Sequence, residues 1–280
     1  MGQVQQMDLD GNIVPLNEHV VTVDNVLTSS AHDLTVNAKR LLMLAYGKQD
    51  PRAELLRGHQ LQARITAREW FTLYSGGRRK PYDEMREAAK ELQKSTVTVY
   101  PCTEYYEDWN FTTKARYTHA TDLDSAYVEI TFTNEVSTLL NDIFDNYTTY
   151  DLRAIAELSS SYAVRMYEQL ARFRDSKTGC GWFRVELAKL QVMFGAAEKY
   201  PRMNDFVKRC VVSALDQIDH RTDTSVTYQL EKKGRSYHML HVNFKPKQQL
   251  DLLPTGEKGK GKGKGKGKKR SFDELINSDF

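Results

Sequence analysis

Residues 198–235 read EKYPRMNDFVKRCVVSALDQIDHRTDTSVTYQLEKKGR, and the fold is decided there. After Pro201, Phe206, Cys210, Ala214 and Ile218 recur at helical spacing and predict one long helix over about 203–219. Lys199, Arg202, Lys208 and Arg209 crowd its N-terminal half, while its buried face stays apolar. Two strand-like runs follow, Val226–Leu230 and Tyr237–Phe244, on either side of Glu231-Lys232-Lys233-Gly234-Arg235. That is a hairpin with a basic tip. A helix entering the DNA major groove offers its N-terminal residues to base edges, its cations pair with guanine O6 and N7, and its amide end favours phosphate. Taken alone, the helix reads equally well as a solvated face and the tip as a plain turn. A cationic helix followed one element later by a cationic tip favours DNA, with Lys232, Lys233 and Arg235 gripping the backbone or minor groove.

Working outward, the same order of elements occurs twice. Upstream of the long helix, Ser159 to Ser161 cap a helix carrying Tyr162, Met166, Leu170 and Phe173. A Gly-Cys-Gly turn at 179–181, a strand at Trp182–Val185 and a helix with Leu187, Leu190 and Phe194 complete the unit. In the first half, after an irregular arm over residues 1–20, Leu34, Leu41, Leu42, Leu44 and Ala45 predict a helix at 34–48. A strand at Leu61–Ile65 leads into Thr66-Ala-Arg-Glu69, a capping box. That helix is expected to end at Gly76-Gly77. Pro81 opens the next one, with Tyr82, Met85, Ala89 and Leu92 on one face through Lys94. Thr96–Tyr100, Phe111–Tyr117 and Ala126–Phe132 then read as strands of a hairpin. The fold class is therefore α+β, a tandem of winged helix-turn-helix domains at 21–145 and 146–247, with a tail at 248–280. In the first unit Arg78, Arg79 and Lys80 precede the second helix, and Lys114 and Arg116 lie on the hairpin. Both clusters are candidates for DNA phosphates, with ordinary surface charge as the alternative.

Composition bounds the function. The 280 residues suffice for two ordinary domains with two cores. Of 40 basic and 37 acidic residues, the tail holds eight and five, which leaves 32 of each before residue 248. A nucleic-acid argument must therefore rest on where cations cluster, and not on a pI of 8.6. No apolar run of about 18 residues exists to span a bilayer, and MGQVQQMDLDG lacks the pattern of a secretory leader, so a soluble cytoplasmic protein is expected, nucleoid- or plasmid-associated. Cys102, Cys180 and Cys210 are odd in number and widely spaced, which predicts buried small residues and neither a disulfide framework nor a zinc site. An enzyme is not expected. His238-Met239-Leu240-His241 has two residues between its histidines, which an alternating strand sends to opposite faces. Gly256 to Lys262 has a phosphate-loop spacing without the Ser or Thr that must follow. No cofactor and no metal are expected.

Four further stretches, with the opening one, carry a resemblance to a known family. YDLRAIAELSSSYAVRMYEQLARFR at 150–174 together with 198–235 resembles the second winged helix of iteron-binding plasmid replication initiators (Rep), of the F-plasmid initiator type. NAKRLLMLAY, PYDEMREAAKELQKSTV and AYVEITFTNEVSTLL resemble the first, so that the likeness spans roughly residues 20–246. It implies major-groove base contacts at Arg202, Asp205, Lys208 and Arg209. Lys208 stands where related initiators can carry Arg, whose planar fork matches guanine O6 and N7 better than an ammonium does. It also implies binding of directly repeated origin sites by monomers, and a dimer joined through the first winged helix that represses its own promoter. Recruitment of host replication proteins, including a helicase or its loader, goes with that role. The alternative is a transcriptional repressor without initiation activity. In the tail, Gln249-Leu250-Asp251-Leu252-Leu253 resembles the short peptide by which bacterial replication proteins dock on the sliding clamp, with Leu253 where Phe is usual. Packing at the end of the second domain is the competing role. The alternating Gly-Lys tract at 259–268 cannot bury a core and reads as a solvated linker.

Overall fold

Residues 20–48, 60–75, 80–99, 105–118, 120–141 and 147–247 are described by a computed structural model of the chain. The first winged helix begins with β1 (Val20–Asp24) and α1 (Asn25–Ser29), followed by α2 (Val36–Gly47). Thr35 caps α2, its hydroxyl accepting from the Ala38 amide at 3.3 Å. β2 (Gln62–Thr66) runs into α3 (Ala67–Trp70), which continues as a π-helical turn, Phe71–Ser75. The capping box is present: the Thr66 hydroxyl accepts from the Glu69 amide at 3.2 Å, and the Glu69 carboxylate accepts from the Thr66 amide at 2.8 Å. α4 (Pro81–Lys94) has its proline in the first turn, where the missing amide proton loses no helical bond. Met85, Ala88, Ala89 and Leu92 form its buried face. β3 (Thr96–Val99), β4 (Glu107–Asn110), β5 (Thr112–Thr118) and β6 (Tyr127–Phe132) follow, then α5 (Asn134–Asn141).

β7 (Tyr147–Asp151) pairs antiparallel with β1, and α6 (Leu152–Glu157) is capped by Asp151. The second winged helix comprises α7 (Ser161–Arg172), β8 (Gly181–Glu186), α8 (Leu187–Met193) and α9 (Met203–Phe206). From α9 the same helix runs on through a π-helical segment, Val207–Val212, into α10 (Ser213–Arg221). β9 (Thr224–Lys233) and β10 (Ser236–Pro246) form the wing. The two three-stranded sheets have corresponding orders, β2-β6-β5 and β8-β10-β9, all antiparallel. Helix, strand, helix, helix, strand, strand thus occurs twice with the same pairing.

Several expectations are corrected. β3 does not join the wing; it pairs with β4, Val97 opposite Trp109, as a separate two-stranded hairpin. Glu107-Asp-Trp-Asn has no apolar alternation because neither face of that strand is buried deeply, so it carries little strand signal. Ser160 occupies the N-cap of α7 but its side chain makes no capping bond, and the Ser159 hydroxyl instead donates to Gln217 at 3.0 Å. Cys210 is buried as expected, while Cys180 is exposed beside the turn at Gly179. Cys102, the Gly76-Gly77 turn, the arm before residue 20 and the tail after 247 lie outside the described residues.

Residues through Lys247 make one compact unit in which the two winged helices share a seam. α2 is buried on every side, including Lys39 and Arg40, because α6 and α7 cover the face that its own sheet does not. Lys39 Nζ lies 2.9 Å from Glu168 Oε1, with both side chains 3 % exposed or less. The Tyr150 hydroxyl also donates to Glu168 at 2.9 Å. Arg40 donates to the Leu158 carbonyl, Arg165 to that of Ser30, and Gln169 to that of Thr28. Burial lowers the Lys39 ammonium to about 8, against the opposing pull of Glu168.

Candidate nucleic-acid interface

The helix formed by α9, the π-helical segment and α10 buries Phe206, Cys210, Ala214 and Ile218. Their spacing is four residues, repeated three times. An α-helix advances 100° per residue, so twelve residues would rotate the stripe roughly 120° away from the core. The wider π turns at Val207–Val212 absorb that drift and keep all four against the sheet and α7. Lys208 and Arg209 sit inside this segment and are exposed. Arg202 is the N-cap residue; its side chain makes no capping bond and is exposed. Asp205 lies in the first turn and is half-buried.

The wing reaches the same end of the helix. Gly234 holds φ +65° at the tip, where an added Cβ would meet nothing within 4 Å, so glycine is needed there for the backbone and not for space. Lys232 lies over the Tyr237 ring, 5.1 Å from its centroid. Lys233 and Arg235 line a cleft of about 380 Å³ together with Arg202, Met203, Asn204 and Ser236. The structure therefore brings the helix start and the wing tip together around one opening. Asn204 and Ser236 were not singled out from sequence. Asn204 is exposed at the second helical position, where a side-chain amide can read adenine N6 and N7. Its residue type is common on ordinary surfaces, and only its place beside three cations marks it.

Glu231, the one acid of the predicted tip, lies in β9 and is drawn away from the cleft. Its carboxylate accepts from Arg184 at 3.0 Å and lies 2.7 Å from His241 Nε2. The hydrogen bond from Arg184 is the first cause of a carboxyl held below its ordinary range. Burial pushes the Cys210 thiol up to about 12, which leaves it inert as a nucleophile. Among the described residues no group of three His, Cys, Asp or Glu is placed to hold a metal ion, and no helix is long and apolar enough to cross a membrane.

The first winged helix presents its cations differently. Lys80 is the exposed N-cap of α4 and Lys114 is exposed on β5. Arg116 is ion-paired with Glu129 at 3.3 Å, and Arg64 reaches the same carboxylate from the opposite strand at 3.0 Å. On α4, Arg86 approaches Asp83 and Glu87, and Lys90 pairs with Glu87 at 3.0 Å. The connection between β5 and β6 carries Asp122 and Asp124, the latter 2.6 Å from Arg68. Arg78 and Arg79 lie outside the described residues.

Comparison with known proteins finds two winged-helix parts in the same chain order, the first match running on through α6 and into α7. Residues 20–171 match the family described as "Initiator Replication protein, WH1" and residues 186–244 the one described as "Initiator Rep protein, WH2". An uncharacterized 27.6 kDa protein of Escherichia coli is 25 % identical over 234 residues, covering 79 % of this chain and 93 % of that protein. The crystal structure of the Pi initiator protein in complex with iteron DNA superposes with a TM-score of 0.68 at 21 % identity, over 83 % of this chain and 99 % of that one. The likeness to that structure extends across both winged helices. With both family matches in chain order over most of its length, the chain belongs to the replication initiator protein family and carries its WH1 and WH2 parts.

Proposed function

We propose that the protein binds directly repeated sites, iterons, in a plasmid origin as double-stranded DNA and initiates replication there by recruiting host replication proteins. The observation that carries this reading is the convergence of Arg202 and Asn204 with Lys233 and Arg235 on one cleft. A helix start supplies base-edge contacts in the major groove, and a cationic wing tip supplies the adjacent phosphate contacts. Arg202, Asp205, Lys208 and Arg209 face the bases in this reading, and Lys232, Lys233 and Arg235 the backbone. The first winged helix adds phosphate contacts at Lys80 and Lys114, with Arg78 and Arg79 nearby in sequence. It acts by binding, with no catalytic step. The Pi initiator, whose fold this chain shares, is known bound to iteron DNA.

The rest of the reading concerns partners. A dimer joined through the first winged helix would repress the protein's own promoter, in equilibrium with a monomer that binds the origin. Gln249, Leu250, Asp251, Leu252 and Leu253 would dock on the sliding clamp. The deciding experiment supplies the protein in trans to a replicon carrying direct repeats from beside its coding sequence. Replication that depends on both protein and repeats is expected. Repeat binding and promoter repression without replication would leave a repressor, and metal-dependent strand cleavage would replace the binding role with a nickase.

A further inference from the structure

A cavity of about 430 Å³ opens at the seam of the two winged helices. His32 and Asp33 line it from the first, and Ser161, Arg165, Glu198 and Lys199 from the second. Arg165 is 2 % exposed. One terminal nitrogen donates to the Ser30 carbonyl, but Nε and the other terminal nitrogen, Nη1, have no hydrogen-bond partner. Its guanidinium carbon sits 6.0 Å from the ring centroid of Phe194, another residue of the cavity wall. The buried Glu168 carboxylate favours the Arg165 charge but makes no hydrogen bond to these two nitrogens, and buried donors left unmade are destabilising unless something supplies acceptors.

Two further features of the wall point to the same kind of ligand. The twelve-residue helix α7 starts at the cavity with Ser161 and Tyr162, and Ser160 supplies no side-chain cap to its first amides. An uncapped helix start favours an anion. His32 is buried with Nδ1 unpartnered, and burial, with Arg165 and Lys39, keeps its ring neutral, so it adds a polar contact without charge. Asp33 and Glu198 oppose an anion. Both are exposed, as is Lys199, so solvent and salt screen these three charges while Arg165 acts from inside the protein.

We propose that this cavity binds a phosphate-class oxyanion, free or as the terminal group of a small phosphorylated metabolite such as a nucleotide, held by Arg165 and the first turn of α7. The volume is in the range of small-molecule sites, and guanidinium and phosphate match in geometry. The occupant would bridge the two winged helices. It would also sit against residues 194–199, which lead directly into Arg202. The site is separate from the DNA cleft and does not depend on the DNA reading.

The test uses the full chain, with thermal unfolding and titration calorimetry in inorganic phosphate and, separately, in a metal-free nucleoside triphosphate, each against chloride at matched ionic strength. Both additions raising Tm above the chloride control means that the free anion suffices; the triphosphate alone doing so means that the metabolite is needed. Ser161→Asp puts a carboxylate at the helix start, where it favours the helix, and should weaken binding at least tenfold, as should Arg165→Gln. The triple variant Arg202→Ala, Lys233→Ala, Arg235→Ala should bind the anion as the unmodified protein does. No effect beyond chloride, binding that survives Ser161→Asp, or binding lost in the triple variant each overturns the proposal, the last by placing the anion in the DNA cleft.

Discussion

The two winged helices share one topology and differ in what their charges do. In the second, the helix start and the wing tip bring Arg202, Lys233 and Arg235 to one opening, and the nearby acid Glu231 is turned onto Arg184 and His241. In the first, the corresponding helix α4 carries Asp83 and Glu84 in its first turn, and the wing arginine Arg116 is committed to Glu129. A shared fold therefore does not imply a shared role. Cations held in ion pairs must break them before meeting phosphate, whereas those lining an open cleft need not. On the function proposed above, the difference would give base reading to the second winged helix and leave backbone contact and assembly to the first.

The comparison holds only if the two parts act as one body, and the seam offers the severest way to break it. Glu168→Ala leaves Lys39 buried without its carboxylate and should cost about 3–5 kcal/mol of stability, read by urea unfolding followed by circular dichroism. A loss under 1 kcal/mol would mean that the Lys39–Glu168 pair adds little to the seam beside its apolar contacts and its other hydrogen bonds. Next in size, Arg202→Ala should weaken specific DNA binding by about 1–3 kcal/mol with less effect on random duplex, and Asn204→Ala should relax preference at a single base pair by a similar amount. Equal losses on cognate and random duplex would remove both from base reading. The triple variant Lys232→Ala, Lys233→Ala, Arg235→Ala should lower affinity for both duplexes and flatten the salt dependence by up to about 3 in log–log slope, about one for each phosphate left without its cation.

Smaller effects sharpen the contrast. Arg116→Ala should change DNA affinity by less than about 0.5 kcal/mol, since its pairing with Glu129 competes with phosphate. A loss as large as that at Arg202 would make the first winged helix an equal reader. A separate signal is pH-dependent. Lys39 titrates near 8 when folded and near its ordinary value of 10.5 when unfolded, so between those values the unfolded chain binds the extra proton. Its contribution to stability is complete above pH 10.5 and lost as pH falls through about 8. Lys39→Met should therefore reduce the rise in stability measured from about pH 8 to about 9.5. An unchanged slope would show that Lys39 stays charged in the folded state.

Periodicity made the helices legible because a helix with one face on a core must repeat its apolar residues, as Met85, Ala89 and Leu92 do. Caps were legible where a local bond satisfies an otherwise free amide, as at Thr66 and Glu69. The same rule misled at Ser160, whose helix start lies beside the seam cavity and goes without a side-chain cap. The hairpin of β3 and β4 was only half legible: β3 alternates with Val97 and Val99 buried, whereas β4 buries neither face deeply and carries no apolar alternation. Four-residue spacing from Phe206 to Ile218 was in plain view, but its meaning, a π-helical segment, emerged only against the surface that the helix must cover.

Local chemistry by itself determined the repeated order of elements, the cationic helix and the basic tip, because each follows from residues close along the chain. Tertiary structure alone decided which cations share an opening, which are spent on neighbouring carboxylates, and that Lys39, Arg165 and Glu168 lie inside the molecule. The physical reason is that burial of a charge depends on partners far away in sequence. Lys39 and Glu168 are drawn from different winged helices, and no window along the chain contains both.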